Sequence, residues 1–133
     1  MKKKTKSNKV LITEGIPAGF PVPSSDFSQS LFDLNSFVVE HPAATYFIRV
    51  QGHSMKGAGI FSGDILVVDR SMEEKVSSVV VAVVDGEFTV KKIQTVEGKR
   101  YLIAENSDYN PIELKEGMCV EIWGVVTFVI HQV

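Results

Sequence analysis

Ser54 lies in a segment whose composition suits a reactive serine hydroxyl. It belongs to the stretch VQGHSMKGAGIFSGD, residues 50–64, which follows an apolar run and contains glycines that let the backbone turn sharply and expose a hydroxyl. A serine hydroxyl becomes a good nucleophile only when a nearby base takes its proton. An isolated loop serine is usually a solvated polar residue, so its role depends on which base this chain can supply.

The three histidines of the chain do not supply an obvious base. His53 adjoins Ser54, but consecutive side chains of an extended segment point to opposite faces, so the two diverge. His41 precedes a proline at the end of a predicted helix, and His131 lies near the end of the sequence. Neither has an aspartate at an informative spacing, and a Ser-His-Asp triad is not indicated.

A neutral lysine is the other base that can activate a serine. Burial and neighbouring positive charge must bring its pKa from about 10.4 down to about 7 to 8. Lys91 and Lys92 follow the run VVVAVVDGEFTV, residues 79–90. On a strand the two lysines point to opposite faces, and either face could line a cleft. Alternation alone therefore does not choose between them.

Short β-branched and aromatic runs surround these candidates, and turn-forming dipeptides separate the runs. They predict strands over residues 45–50, 65–69, 79–84, 88–93, 101–104 and 119–130. Asp85-Gly86 predicts a two-residue hairpin, because both central residues of a type I′ turn need positive φ. The strands should therefore be mostly antiparallel, in a barrel-like or sandwich-like domain.

A short helix is predicted ahead of the strands. Leu34, Phe37 and Val38 have helical spacing, Asp33 can cap the N-terminus, and Pro42 prevents continuation. The predicted fold is thus mostly β, with a short N-terminal helix preceded by a flexible extended arm.

The composition is that of a globular protein: 133 residues, 44% hydrophobic and 23% charged. The single Cys119 cannot form an internal disulfide, which suits a reducing cytoplasm. No segment approaches the roughly 20 apolar residues of a membrane span, and no signal-peptide core is present. We therefore expect a cytoplasmic protein without a membrane anchor, and neither a metal nor an organic cofactor.

Residues 1–30 are predicted to form a flexible basic arm, and residues 31–133 a β domain. Residues 1–18 carry five lysines and one glutamate, a net charge of +4, so the remainder carries −6 of the total −2. Basic arms can contact nucleic acid, but a solubilising disordered segment is the simpler interpretation. Within the arm, Ala18 and Gly19 stand between Pro17 and Pro21.

Several segments together resemble the UmuD-like group of the LexA-type self-cleaving peptidases. The resemblance runs from about Ala18 to His131 and rests on AGFPVPSSDF, HPAATYF, GHSMKGAGIFSGDILVVDR, DGEFTVKKI, ENSDYNPI and IWGVVTFVIH in that order. It implies the LexA/UmuD C-terminal peptidase-like fold, with Ser54 as nucleophile and Lys91, the first lysine of the pair, as general base. It also suggests the backbone amides of His53 and Ser54 as an oxyanion hole.

The resemblance also suggests a role for the small residues Ala18 and Gly19 of the arm. Members of this family cut their own arm between a small residue and glycine, which here matches Ala18–Gly19. A bond flanked by small side chains can enter a narrow cleft without steric conflict. Pro17 and Pro21 favour the extended conformation that a protease substrate must adopt.

The resemblance further implies partners for the chain. They are a second copy of it in a homodimer, a RecA filament on single-stranded DNA that stimulates cleavage in the SOS response to DNA damage, and a UmuC-type Y-family polymerase for translesion synthesis. Neither sequence-specific DNA binding nor a membrane is expected.

Two other functions remain open from the sequence. One is the peptidase domain of a LexA-like or phage-type repressor, although no helix-turn-helix pattern precedes residue 44. The other is a non-catalytic β-rich docking module in which Ser54 and Lys91 have no chemical role.

Overall fold

The computed structural model describes residues 9–26 and 28–133. The lysine-rich residues 1–8, part of the predicted basic arm, lie outside the described residues, as does Phe27. The contacts divide the chain into two compact units, with the boundary between Val38 and Val39. The division into an arm over residues 1–30 and a domain over residues 31–133 stays a prediction.

The first unit contains a two-stranded antiparallel sheet that the sequence did not predict. Strand β1 (Val10–Thr13) pairs with strand β2 (Gln29–Phe32). The side-chain amide of Gln29 donates to the Thr13 hydroxyl at 3.2 Å, at the end of the ribbon. Between the strands, within the predicted arm over residues 1–30, lies a 3-10 turn (Ser24–Asp26).

Helix α1 (Leu34–Val38) confirms the predicted helix and its cap. The Ser36 backbone N–H donates to Asp33 Oδ1 at 3.3 Å, and the Ser36 hydroxyl donates to Asp33 Oδ2 at 2.9 Å. The hydroxyl bond is the main reason why the pKa of Asp33 lies below its usual value. Pro42 opens a separate 3-10 turn (Pro42–Ala44) and is not part of the helix.

The second unit is built on a seven-stranded sheet in which all neighbours are antiparallel, in the order β3-β4-β9-β5-β6-β7-β8. The strands are β3 (Thr45–Arg49), β4 (Ile65–Asp69), β5 (Val79–Val84), β6 (Glu87–Val96), β7 (Lys99–Ile103), β8 (Ile112–Glu113) and β9 (Val120–Ile130). The six predicted strands and the mostly β fold class are confirmed. The two-residue β8 was not predicted.

The predicted hairpin joins β5 to β6. Asp85 has φ of 48° and Gly86 has φ of 86°, so both central residues are in the positive region that a type I′ turn requires. Glu97-Gly98 makes the same kind of turn between β6 and β7, with φ values of 51° and 77°. The tight turn at Asp85-Gly86 fixes the register of β6.

Two apolar clusters form the core of the second unit. Successive strand residues point to opposite faces, and Val80 and Val81 accordingly belong to different clusters. The first cluster comprises Val50, Met55, Ile60, Leu66, Val68 and Val81. The second comprises Val80, Ala82, Ile93, Leu102 and Val125. Because Met55 and Ile60 belong to the first cluster, the core anchors the loop that carries Ser54.

Gly124 of β9 lets two strands approach closely, and its substitution should destabilise the fold. A Cβ atom there would lie 2.6 Å from Val68 Cγ1. Overpacking a core costs about 1–3 kcal/mol, so we expect Gly124→Ala to lower the thermal midpoint by roughly 5 °C or more in calorimetry. Gly19→Ala is the control, because in the described part of the chain no heavy atom outside its two chain neighbours lies within 4 Å of its Cβ position. Equal midpoints for both variants would show that β9 relaxes freely.

Candidate active site

The structure brings Ser54 and Lys91 together. Ser54 lies in the turn that follows β3, and Lys91 lies on β6, 37 residues further along the chain. Lys91 Nζ is 3.1 Å from Ser54 Oγ, which is within hydrogen-bond distance. The two groups that sequence reasoning selected as nucleophile and base are therefore neighbours.

Lys91 is in a setting that favours its neutral form. It is 8% exposed, and burial lowers the pKa of its amine from the usual value. Its Nζ also lies 2.6 Å from Thr89 Oγ1 and 3.1 Å from the Val90 carbonyl oxygen. A neutral amine can donate its two N–H groups to these oxygens and accept the Ser54 proton on its lone pair.

Lys92 occupies a different environment. Its Nζ pairs with Glu105 Oε1 at 3.2 Å, and the side chain is 28% exposed. Of the two lysines, Lys91 is thus the one that contacts Ser54. This contact shows which of the two lysines faces the serine loop, a question that strand alternation left open.

The segment after β7 braces the serine loop through three contacts. The Gly57 N–H donates to the Glu105 carbonyl oxygen at 2.7 Å, and a Cβ on Gly57 would lie 2.5 Å from that oxygen. The Glu105 N–H donates to Met55 Sδ at 3.4 Å, and the Asn106 amide donates to the His53 carbonyl oxygen at 2.8 Å. Sequence reasoning gave Glu105 and Asn106 no role, because such contacts join segments about 50 residues apart.

The backbone N–H groups of His53 and Ser54 donate no hydrogen bond to any residue within 9–26 and 28–133. Gly52, with φ of 97°, turns the chain just before them. Among the described residues, neither group is thus committed to another acceptor. The oxyanion hole stays a prediction.

An apolar cleft of about 410 Å³ has in its lining Thr89, whose Oγ1 contacts Lys91 Nζ. One wall comes from the end of β3 and the residues leading to Ser54, and another from the part of β6 that precedes Lys91. The lining residues are Ile48, Arg49, Val50, Gln51, Val81, Phe88, Thr89, Val90 and Trp123. A cleft of this kind can accept an extended peptide with apolar side chains.

His41 and His131 have aspartate partners that sequence reasoning did not find. His41 Nδ1 lies 2.6 Å from Asp69 Oδ2, and His131 Nδ1 lies 2.6 Å from Asp64 Oδ1. The partners are 28 and 67 residues away along the chain, so no local spacing could reveal them. The bond to Asp69 raises the pKa of His41.

Neither histidine forms a serine triad in the described part of the chain. Ser71 Oγ donates to Asp69 Oδ1 at 2.6 Å, but the aspartate stands between this serine and His41. In a triad the histidine must stand between the two, because it takes the serine proton. These bonds tie loops to buried carboxylates.

Ala18 and Gly19 belong to the first unit, in the segment that joins β1 to β2, and both are exposed.

Among the described residues, no group of three or more His, Cys, Asp and Glu side chains could hold a metal ion. In the same part of the chain, every helix is too short or too polar to traverse a bilayer.

A sequence model of the family described as peptidase S24-like matches residues 10–127. The chain belongs to this family of S24-like peptidases. The family resemblance drawn from the sequence motifs is thereby confirmed.

Three curated relatives are similar over most of their length. SamA of Salmonella typhimurium is 42% identical over 122 residues, which cover 92% of this chain and 84% of SamA. ImpA of Salmonella typhimurium is 40% identical over 124 residues, covering 92% of this chain and 83% of ImpA. MucA of Escherichia coli is 42% identical over 113 residues, covering 84% of this chain and 77% of MucA.

Proposed function

We propose that this chain is a self-cleaving serine peptidase in which Lys91 is the general base and Ser54 the nucleophile. The observation that carries the proposal is the 3.1 Å contact between Lys91 Nζ and Ser54 Oγ, made by a buried amine whose pKa is lowered. A serine next to a neutral lysine is an established arrangement for acyl transfer.

The chemistry follows from the protonation states. Neutral Lys91 takes the proton of Ser54 while Oγ attacks the carbonyl carbon of Ala18, and negative charge develops on the carbonyl oxygen. Backbone N–H groups at His53 and Ser54 stabilise that charge. The C–N bond then breaks, Lys91 returns the proton to the amine of Gly19, and water hydrolyses the acyl-enzyme with Lys91 again as base.

The arm has a pattern that suits the cleft. In an extended chain, alternate side chains share a face, so Ile16, Ala18 and Phe20 would point to one side. Ile16 and Phe20 are now 67% and 89% exposed, and the cleft beside Lys91 is lined mainly by apolar side chains. Docking would bury these side chains and present the Ala18 carbonyl to Ser54, since alanine needs little room.

We also propose a biological role of the UmuD type. A RecA filament on single-stranded DNA stimulates the cut, and the trimmed chain acts as a homodimer with a UmuC-type Y-family polymerase in translesion synthesis in the cytoplasm. The match to the S24-like family over residues 10–127, together with the ordered UmuD-like motifs, supports this role.

Incubation of the full chain with RecA, nucleotide and single-stranded DNA tests the proposal. We expect mass spectrometry to find two new species, residues 1–18 and 19–133, and the same reaction without DNA to yield far less of both. RecA favours the docked arm, and a rate that depends on docking rises with the docked population. Cleavage elsewhere, or none even at alkaline pH, would contradict the assignment.

A further inference from the structure

The side chain of Asn106 is held at both of its polar atoms. Its amide nitrogen donates to the His53 carbonyl oxygen at 2.8 Å. Its amide oxygen accepts from the Asp108 backbone N–H at 3.1 Å. Because each atom has a partner of the matching kind, the orientation of the amide is determined. The group therefore points its N–H at a fixed place in the serine loop.

The carbonyl that Asn106 holds shares a peptide unit with the N–H of Ser54. That unit is planar and trans, so its N–H points opposite to its C=O. Holding the His53 oxygen thus aims the Ser54 N–H. The Lys56 N–H also donates to this oxygen, but at 3.3 Å. Asn106 makes the shorter of the two bonds.

We propose that Asn106 is a positioning residue for the oxyanion hole of the reaction described above. It acts through the His53–Ser54 peptide, and it directs the Ser54 N–H towards the oxygen on which negative charge develops. The inference rests on the proposed function. Preorganisation matters here because a donor aimed in advance needs no reorganisation when the charge forms.

A purely structural role would depend on the other bond of Asn106. The acceptor bond from the Asp108 N–H shapes the turn after β7, and Asn106→Asp keeps this acceptor. The same variant replaces the donor facing His53 by a carboxylate oxygen, which repels the carbonyl. The variant thus separates the shape of the turn from the hold on the peptide.

The test compares first-order rates of Ala18–Gly19 scission in the full chain across pH. We expect Asn106→Asp to lower the rate plateau about 10- to 100-fold. This decrease is no larger than the one that follows removal of a whole oxyanion-hole donor. Asn110→Asp is the matched control, because it makes the same change in the same loop at an exposed residue. It should cleave as the unsubstituted chain does.

Asn106→Ala is a second test of the inference, and it replaces Asn106→Asp if that variant does not fold. It adds no charge, so we expect a lower plateau with an unchanged pH midpoint. A loop that merely came apart would move Ser54 away from Lys91 and shift that midpoint.

Two results would overturn the inference. A plateau within twofold of the unsubstituted chain in a folded Asn106 variant is one, and a shifted midpoint in Asn106→Ala is the other. In either case, cleavage by the unsubstituted chain that Ser54→Ala abolishes would leave the proposed function intact. No cleavage in the unsubstituted chain would remove both.

Discussion

Ser54→Ala and Lys91→Ala are each expected to abolish scission of Ala18–Gly19 at alkaline pH. Ser54→Ala removes the attacking oxygen. Lys91→Ala removes the proposed base, whose amine lies 3.1 Å from that oxygen, and general base catalysis is worth about 10²–10⁴-fold in rate. Mass spectrometry of the full chain over time measures the loss directly, since the larger product is lighter than the substrate by the mass of residues 1–18.

Lys92→Ala is the matched control, because it makes the same change at the adjacent residue. Lys92 pairs with Glu105 at 3.2 Å, and a partly exposed pair of this kind contributes about 0–1 kcal/mol. The serine loop is held by the backbone of Glu105, not by its carboxylate. We therefore expect the rate of Lys92→Ala to stay within about twofold.

Persistent cutting in Ser54→Ala would refute the mechanism. Equal rates in all three variants and the unsubstituted chain would point to cleavage by a contaminating protease and favour a non-catalytic docking module. A loss in Lys92→Ala that matched the loss in Lys91→Ala would show that the variants act by disturbing β6 rather than by removing a base.

The rate of scission is expected to rise with pH through the pKa of Lys91 and then to level off. Only the neutral amine can take the Ser54 proton, and its fraction grows about tenfold per pH unit below the pKa. Burial lowers this pKa from its usual value of 10.5, so the plateau begins below the pH at which a solvated lysine loses its proton. Initial rates across the alkaline range, with RecA omitted, give the midpoint.

The same shift has a consequence for stability, and its sign can be worked out. A buried amine with a lowered pKa binds its proton less tightly in the folded than in the unfolded chain, so folding is disfavoured below the folded-state pKa and the penalty vanishes above the unfolded-state value. Lys91→Ala should thus lose no stability through charge at neutral pH.

A rate that is flat or falling from neutral to alkaline pH in the folded, unsubstituted chain would contradict Lys91 as the base.

The parts of the fold that could be predicted from the sequence are those that local chemistry determines. Asp85-Gly86 fixes a hairpin because few residue pairs tolerate positive φ twice, and the valine runs around it are strongly β-forming. The four-residue β1 and β2 and the two-residue β8 were missed because such short elements depend on their partner strands.

Only part of the candidate site could be predicted from the sequence. Residue chemistry identified Ser54 and a lysine as suitable partners, but alternation assigned Lys91 and Lys92 to opposite faces and could not say which face meets the serine loop. That depends on how the sheet brings β6 to the end of β3. Contacts made across the chain, such as that of Asn106 with His53, leave no trace in local spacing.

In the proposed reaction, the ribbon of β1 and β2 would separate hydrolysis of Ala18–Gly19 from the departure of the leading piece. The bond Ala18–Gly19 lies between two strands that pair from Val10↔Phe32 to Thr13↔Gln29, so a nicked chain still holds its leading piece by these hydrogen bonds. Before the nick this pairing is intramolecular and benefits from a high effective concentration. Afterwards it obeys mass action, and a ribbon so short is marginal in water. After the proposed cut, dilution alone would therefore release the leading piece, with no further chemistry.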